Sequence, residues 1–552
     1  MIIFPYKNLV SVLSKKRGSY QKGYIIIPIL VILLALSTLF IIKNLNKEKE
    51  IDSEITSEIK KSAYRINSNS LEKFDLYFLQ LENGKQNKIY SPLSIKYALE
   101  MLEEGTTGES KAQISNIIGS YKANKYVNSK NMAFGNAIFI NEFYKDSIKN
   151  EYASNLKNKY NAAVITTPFD SPNEVNSWIS NNTLGLINNL YNDISQNNFL
   201  LLNALAIDME WEENFIPQTG EVEFAIYNHE NFYWSGGDEL IPKNFKDMDE
   251  EVSTMEIIAS FNNYDIVKEL GKENIRKKVK EEYLKYLEDG GYIELYEYEI
   301  YLGEKINGLS EEEIKEKYLD EYIEKFLDKY IEDIDSNYKR VDKITDFSLY
   351  VDDDVKVFAK DLKKYNGSQL QYVAIMPTNE DLDNYISKVK VETINKYIEN
   401  LKKLKADNFK EGVVTKISGF IPKFKFEYQL DLMNDLKKLG ITNVFEEGKA
   451  NLENISSDKS LYINGATHKA NIEFTQDGIK AAAVTEFGAG GAGGPFDYLF
   501  DVPVEEIDLT FDKPYMFIIR DLNSGEVWFT GTVYNPLLYS LDTTNPIPGA
   551  SR

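Results

Sequence analysis

IPKFKFEYQLDLMNDLKKLGITNVFEEGKANLENIS, residues Ile421–Ser456, carries two periodicities back to back. Phe424, Phe426 and Tyr428 alternate with Lys425, Glu427 and Gln429, the period of a strand with one buried face. LDLMNDLKKLG then reads as a helix that Gly440 ends. Downstream, YMFIIR (Tyr515–Arg520) and VWFTGTVY (Val527–Tyr534) are apolar strand runs, joined by a turn with Asn523 and Gly525. Upstream, Leu71, Phe74 and Phe78 recur at helical spacing. Pro92 after Ser91 starts a further helix with Ile95, Ala98, Leu99 and Leu102 on one face, and Gly105 is expected to stop it. Strands and helices mix without a regular βαβ period, so the fold class is α+β.

The chain has 552 residues, 63 basic and 86 acidic, with a formal net charge of −23. At 43% hydrophobic residues it can bury a core. The acid excess argues against a nucleic-acid partner, because phosphates would be repelled. The absence of cysteine removes disulfides, thiolate metal sites and thiol nucleophiles. Histidine occurs only at His229 and His468, which leaves histidine-based hydrolysis and metal chemistry short of parts. No cofactor and no metal site is expected.

Tyr24–Ile42, YIIIPILVILLALSTLFII, carries no charge. Its nineteen residues span roughly 28 Å as a helix, close to a bilayer core of about 30 Å. Lys7, Lys15, Lys16, Arg17 and Lys22 precede it with no acid among them. The positive-inside rule therefore predicts a cytoplasmic basic segment (1–23), a single transmembrane helix (24–42) and an extracellular body. A cleaved signal peptide, giving a secreted body, is the rival reading. Residues 43–69 read as a charged stalk, and 537–552 as a tail beyond the folded domain.

Six segments in order resemble the serpin family of serine protease inhibitors. They are NKIYSPLSIKYALEMLEEGTTGES (Asn87–Ser110), NSWISNNTLGLI (Asn176–Ile187), LLNALAIDMEWEENF (Leu201–Phe215), the stretch Ile421–Ser456, LYINGATHKANIEFTQDGIKAAAVTEF (Leu461–Phe487) and KPYMFIIRDLNSGEVWFTGTVYNP (Lys513–Pro536). The resemblance implies a serpin domain over 70–536, with a large central sheet, smaller sheets and an exposed reactive-centre loop. It also implies a function: a suicide substrate for extracellular serine proteases, with cysteine proteases as a second class. Cleavage of the loop forms an acyl-enzyme. The cut loop then enters the sheet as a new strand, released from a metastable native state. Such a chain is not an enzyme.

The loop is QDGIKAAAVTEFGAGGAGGPF, Gln476–Phe496. An entering strand must alternate. Ile479, Ala481, Ala483, Thr485, Phe487 and Ala489 would face inward, none of them charged. Lys480, Ala482, Val484, Glu486 and Gly488 would face solvent. An unpaired buried charge would cost several kcal/mol, so this parity suits insertion. The hinge by resemblance is Gly478, Ile479, Lys480, Ala481, Ala482, Ala483, Val484 and Thr485. Ile479 stands where the family usually has a smaller residue, and its bulk is expected to slow the first step. Family spacing puts the scissile bond at Ala492–Gly493. No Lys or Arg occurs between Ala481 and Asp512, which disfavours a trypsin-like target. Gly and Ala suit an elastase-like pocket, whereas Phe496, Tyr498 and Leu499 suit chymotrypsin- or subtilisin-like enzymes. Without the flanking resemblance the same string reads as a flexible linker.

By resemblance Ser91, Ser94, Asn203 and His468 bridge the sheet where it must open, and Trp211 lies under the end where insertion starts. Between about 261 and 346 the resemblance lapses into charged helices. Ser310 with Glu313 forms a capping box, and Ile314, Leu319, Tyr322, Phe326, Tyr330 and Ile334 make an apolar stripe. That helix is expected to pack on KENIRKKVKEEYLKYLEDGG (Lys272–Gly291). The sharper alternative is a docking arm for a protein partner. A non-inhibitory surface-binding or adhesion module using this insertion is the rival function.

Overall fold

The computed structural model describes residues 62–81, 84–188, 190–215, 254–343, 345–479 and 499–536, together with the backbone of two short strands at 222–224 and 232–234. All of these belong to one compact unit, Ser62–Arg552. The expected membrane helix (24–42), His229, the hinge from Lys480 to Thr485, the Ala492–Gly493 bond and the tail lie outside the described residues. Among the described residues no helix is long and apolar enough to cross a membrane.

Alternation becomes strands as expected. Phe424–Asp431 pairs antiparallel with Thr467–Phe474, whose side chains alternate so that His468, Ala470, Ile472 and Phe474 point inward. The second of these strands adjoins a second half-sheet with the order Ala163–Thr167, Met132–Asn141, Phe199–Ile207. Phe199–Ile207 runs on into Met209–Glu210, which pairs with Gly478–Ile479, and Ile479 in turn opposes Phe474. The two half-sheets are thus the flanks of one broad sheet, joined at one end through Gly478–Ile479 and at the other by a single bridge, Leu200 to Gly465.

A seven-stranded antiparallel sheet lies behind it, built around Leu370–Pro377, Tyr515–Asp521 and Val527–Val533. Aromatic rings fill the space between the sheets. Phe424 stacks on Phe474 at 5.0 Å, Tyr372 meets Phe474 tilted at 4.6 Å, and Phe424 meets Phe517 at 5.9 Å. Each such ring, fully buried, contributes about 1.5–3 kcal/mol. The helix Pro92–Gly105 packs against Val527–Val533 and Phe199–Ile207. Gly105 is its last residue, where a Cβ would lie 2.5 Å from Ile455, and extended Thr106 caps it.

Three sequence expectations are corrected. The stalk does not extend to residue 69, because the body begins at Ser62. Ile66 is buried and exchanges backbone bonds with Ile117 and Ser120, and the Arg65 guanidinium donates to Ser115 O at 2.8 Å. The insertion begins after Asn262, since Phe261 is a buried sheet residue stacked on Phe409 at 4.0 Å. The chain returns to the same four-stranded sheet at Val341–Lys343. The stripe of the helix Glu311–Ser336 is rotated. Ile323, Leu327 and Ile331 are buried with Ile314, Tyr322 and Ile334, while Leu319, Phe326 and Tyr330 sit at the margin. They face Ile275, Val279 and Tyr283 of Lys272–Glu288, so the insertion does pack on its own partner helix. The Ser310–Glu313 capping box is present in both directions.

Candidate functional site: a gap in the broad sheet

Between its two ends the broad sheet is open. A cavity of about 500 Å³ lies in the gap, with Ile207 on one side and Asn471 and Ile472 on the other. Ile519 and Phe529 of the seven-stranded sheet line its floor, and Ile479 stands at its end. The facing edges of Phe199–Ile207 and Thr467–Phe474 carry backbone groups with no strand between them, apart from the two end contacts. An unpaired edge is a template for another strand.

The end at Gly478–Ile479 is tightly built. Trp211 is fully buried, its Nε1 donates to Thr475 O at 2.9 Å, and its backbone N–H donates to Asp477 O at 3.0 Å. Phe215 N donates to Gln476 O at 2.9 Å, and Lys423 Nζ donates to Gln476 Oε1 at 3.0 Å. Burial holds the Lys423 ammonium below the usual lysine range. A Cβ at Gly478 would lie 2.2 Å from Met209 O, so only glycine lets the chain pass here. Ile479 is already seated, 2% exposed and opposite Met209, so the start of the hinge lies inside the crevice before any cut. Lys360, pushed down to about 8 by burial, donates to Thr345 Oγ1 at 2.8 Å and Asp346 O at 2.7 Å beneath Phe215. It ties the exit of the insertion to this crevice.

Farther down the gap the structure brings Ser91, Ser94, His468 and Asn203 together. Ser91 N donates to His468 Nε2 at 2.9 Å, and Ser94 N donates to Ser91 Oγ at 3.1 Å. Ser94, His468 and Asn203 line one small cavity of about 20 Å³. Asn203 does not reach the serines; its amide donates to Asn136 Oδ1, and Asn136 donates to Tyr160 O at 3.1 Å. Ser94 Oγ and Asn203 Oδ1 are buried without a protein partner. The two halves of the sheet therefore meet here through packing more than through bonds. Sequence reasoning missed Asn136 and Lys423, whose roles depend on partners far along the chain. The string FTQDG did hold a local signal for the turn: Thr475 Oγ1 donates to Gly478 O at 3.1 Å.

His468 accepts through Nε2, so its Nδ1 carries the proton. Burial pushes its pKa down to about 4. The unfolded ring titrates near 6.5, so between these values the unfolded chain binds more protons. Stability from this group is whole above pH 6.5 and falls by about 3 kcal/mol as pH drops toward 4. The melting temperature of the wild type is therefore expected to fall more steeply across that window than that of His468→Gln, which keeps an acceptor without the proton. Parallel slopes would remove His468 as the acid-sensitive joint.

The distal limb of the loop is fixed separately. Lys278 of the insertion donates to Leu499 O, and its ammonium lies 5.0 Å from the Phe500 ring. Phe500 and Val502 are buried in the insertion's own cluster. Ile479 and Leu499 are thus each anchored, on different parts of the body. Among the described residues, no group of three His, Asp or Glu side chains is placed to hold a metal ion.

Comparisons with known proteins agree on one family. The model described as "Serpin (serine protease inhibitor)" matches residues 73–232 and 297–536. An uncharacterized serpin-like protein of Methanosarcina acetivorans is 25% identical over 493 residues, 84% of each chain. Human leukocyte elastase inhibitor is 30% identical over 174 residues, 31% of this chain and 42% of its own. Among solved structures, the native state of tengpin, a thermophilic serpin, superposes with a TM-score of 0.51 at 19% identity. That superposition covers 87% of this chain and 98% of tengpin, and it speaks for the fold.

Proposed function

The chain belongs to the serpin family, and from that premise we propose that it is a suicide-substrate inhibitor of serine proteases, with cysteine proteases as a second class, and not an enzyme. The observation that carries this reading is the open gap with Ile479 already seated at its end. A protease attacks the bait between Ile479 and Leu499, with Ala492–Gly493 as the proposed bond. Acylation severs the loop, so its proximal limb is no longer tethered at Leu499. That limb then continues down the gap from Ile479, pairing with both bare edges, and carries the acyl-enzyme with it. Distortion of the displaced protease leaves the ester unhydrolysed. Gly and Ala around Ala492 favour an elastase-like target, Phe496, Tyr498 and Leu499 a chymotrypsin- or subtilisin-like one, and the lack of Lys and Arg disfavours a trypsin-like one. We further propose that Tyr24–Ile42 anchors the chain in a membrane with the body outside the cell, or that cleavage of this segment secretes it.

Incubating the full-length chain with elastase, subtilisin and chymotrypsin tests the proposal. A covalent band that survives SDS and contains both proteins is the expected product. Clean clipping of the loop by all three, with no such band, would instead leave a non-inhibitory binding module.

A further inference from the structure

Large apolar side chains are exposed at few places among the described residues, and six of them crowd into residues 284–300: Leu284, Tyr286, Tyr292, Leu295, Tyr296 and Ile300. Tyr292, Tyr296 and Ile300 are 70%, 55% and 70% exposed. They are not needed for the insertion's own core, which is closed on its other side by Ile275, Val279, Tyr283, Tyr298 and Tyr322. Tyr286 and Tyr292 adjoin. The Tyr286 ring lies over Gly291, where a Cβ would come within 2.4 Å of it, and its hydroxyl donates to Tyr292 O at 3.4 Å. Tyr296 and Ile300 follow one helical turn apart on Leu295–Leu302. A cluster of exposed apolar side chains rich in tyrosine has the composition of an interaction surface.

Its position names the partner. Lys278, on the same helix as Tyr286, grips the bait's distal limb at Leu499 and Phe500. Eight residues of helix put Tyr286 about 12 Å farther on. A protease of about 230 residues has a radius of gyration of roughly 17 Å, so one seated on the bait reaches the patch. Glu288, Asp289, Glu294 and Glu299 are exposed around it, and the whole chain carries a net charge of −23. A second copy would bring acid against acid across a two-fold axis, and anionic lipid would meet the same repulsion. A protease surface with an apolar centre and a basic rim would not.

Resting on the inhibitor reading, we infer that residues 284–300 form a docking surface for the body of the target protease, which recruits the enzyme to the bait beside it. The test compares the full-length wild type with a triple variant, Tyr292→Ser with Tyr296→Ser and Ile300→Ser, and with Glu294→Lys combined with Glu299→Lys. The rate constant for forming the SDS-stable complex is measured with elastase, chymotrypsin and subtilisin at two salt concentrations. For each enzyme that is trapped, the triple variant is expected to react tenfold or more slowly, with the same number of inhibitor molecules consumed per enzyme. The charge reversal is expected to flatten the salt dependence. Equal rates for wild type and triple variant overturn the docking surface while leaving inhibition intact. A wild type that traps none of the three enzymes overturns the inhibitor reading itself. Sedimentation showing a wild-type dimer that the triple variant loses would mean a second copy occupies the patch, and would also overturn the inference.

Discussion

A single cut between Ile479 and Leu499 is expected to raise the melting temperature of the full-length chain by about 10 °C or more. The reason lies in the two edges of the gap. Phe199–Ile207 and Thr467–Phe474 are each paired on their outer side only, apart from the end contacts at Ile479 and Leu200. A strand of eight or nine residues between them would form up to two backbone bonds per residue, one set to each edge, each worth roughly 0.5 kcal/mol at the low end of the usual net range. Ala481, Ala483, Thr485 and Phe487 would enter the 500 Å³ cavity, Phe487 alone contributing about 1.5–3 kcal/mol. The entering backbone would also offer partners near Ser94 Oγ and Asn203 Oδ1. The sum is about 10 kcal/mol. A domain of 150–250 residues gains about 2–4 °C per kcal/mol, and a body of this size about half that, which gives the stated shift. Before the cut this gain is out of reach, because the loop is tethered at both ends by Gly478–Ile479 and by Lys278 with Phe500. Differential scanning calorimetry of the intact chain and of chain nicked by elastase reads the effect directly. Superimposable melting curves would mean that the gap is not a strand site.

Much of this arrangement was legible in the sequence because it is written in local period. The alternation of Phe424 and Phe426 and the Ser91–Pro92 start each depend on residues within one turn or one pleat. What stayed hidden depends on partners far away. Ser62 to Ile66 look like stalk, following directly on the charged run Glu58–Lys61, until Ile66 is placed against Ile117. The stripe of Glu311–Ser336 contains aromatic and aliphatic residues on two adjoining faces. Only the position of Lys272–Glu288 decides that Ile323, Leu327 and Ile331 go inside. Lys278 is one lysine among many until Leu499 and Phe500 lie beside it. At the site itself, His468 and the serines were reachable through the resemblance, whereas Asn136 was not. Nothing near residue 136 in the chain indicates that it takes up the amide of Asn203.

The hinge offers the sharpest test of parity. Gly478 opposes Glu210, and Ile479 opposes Met209. Directly opposed residues of an antiparallel pair share a face. Met209 is buried, whereas Glu210 reaches outward to Lys363, so the frame is set: odd-numbered residues from Ile479 onward face the core. Ala483 should therefore enter the cavity, and Ala482 should stay in solvent. An Ala483→Arg substitution would carry a guanidinium into a space floored by Ile519 and Phe529, with an uncompensated cost of several kcal/mol. Every 1.4 kcal/mol costs a factor of ten in rate, so insertion is expected to slow by a hundredfold or more. The acyl-enzyme would then hydrolyse first. The variant should be cut as fast as the wild type yet form almost no covalent complex, each protease molecule consuming many inhibitors. Ala482→Arg, one residue away and of identical composition, should trap nearly as well as the wild type and gain the same heat stability on cleavage. Stoichiometries measured by titrating elastase separate the two. If Ala482→Arg and Ala483→Arg behave alike, the loop does not enter as a strand in this register. If the order is reversed, Ile479 is not the residue from which the frame is counted.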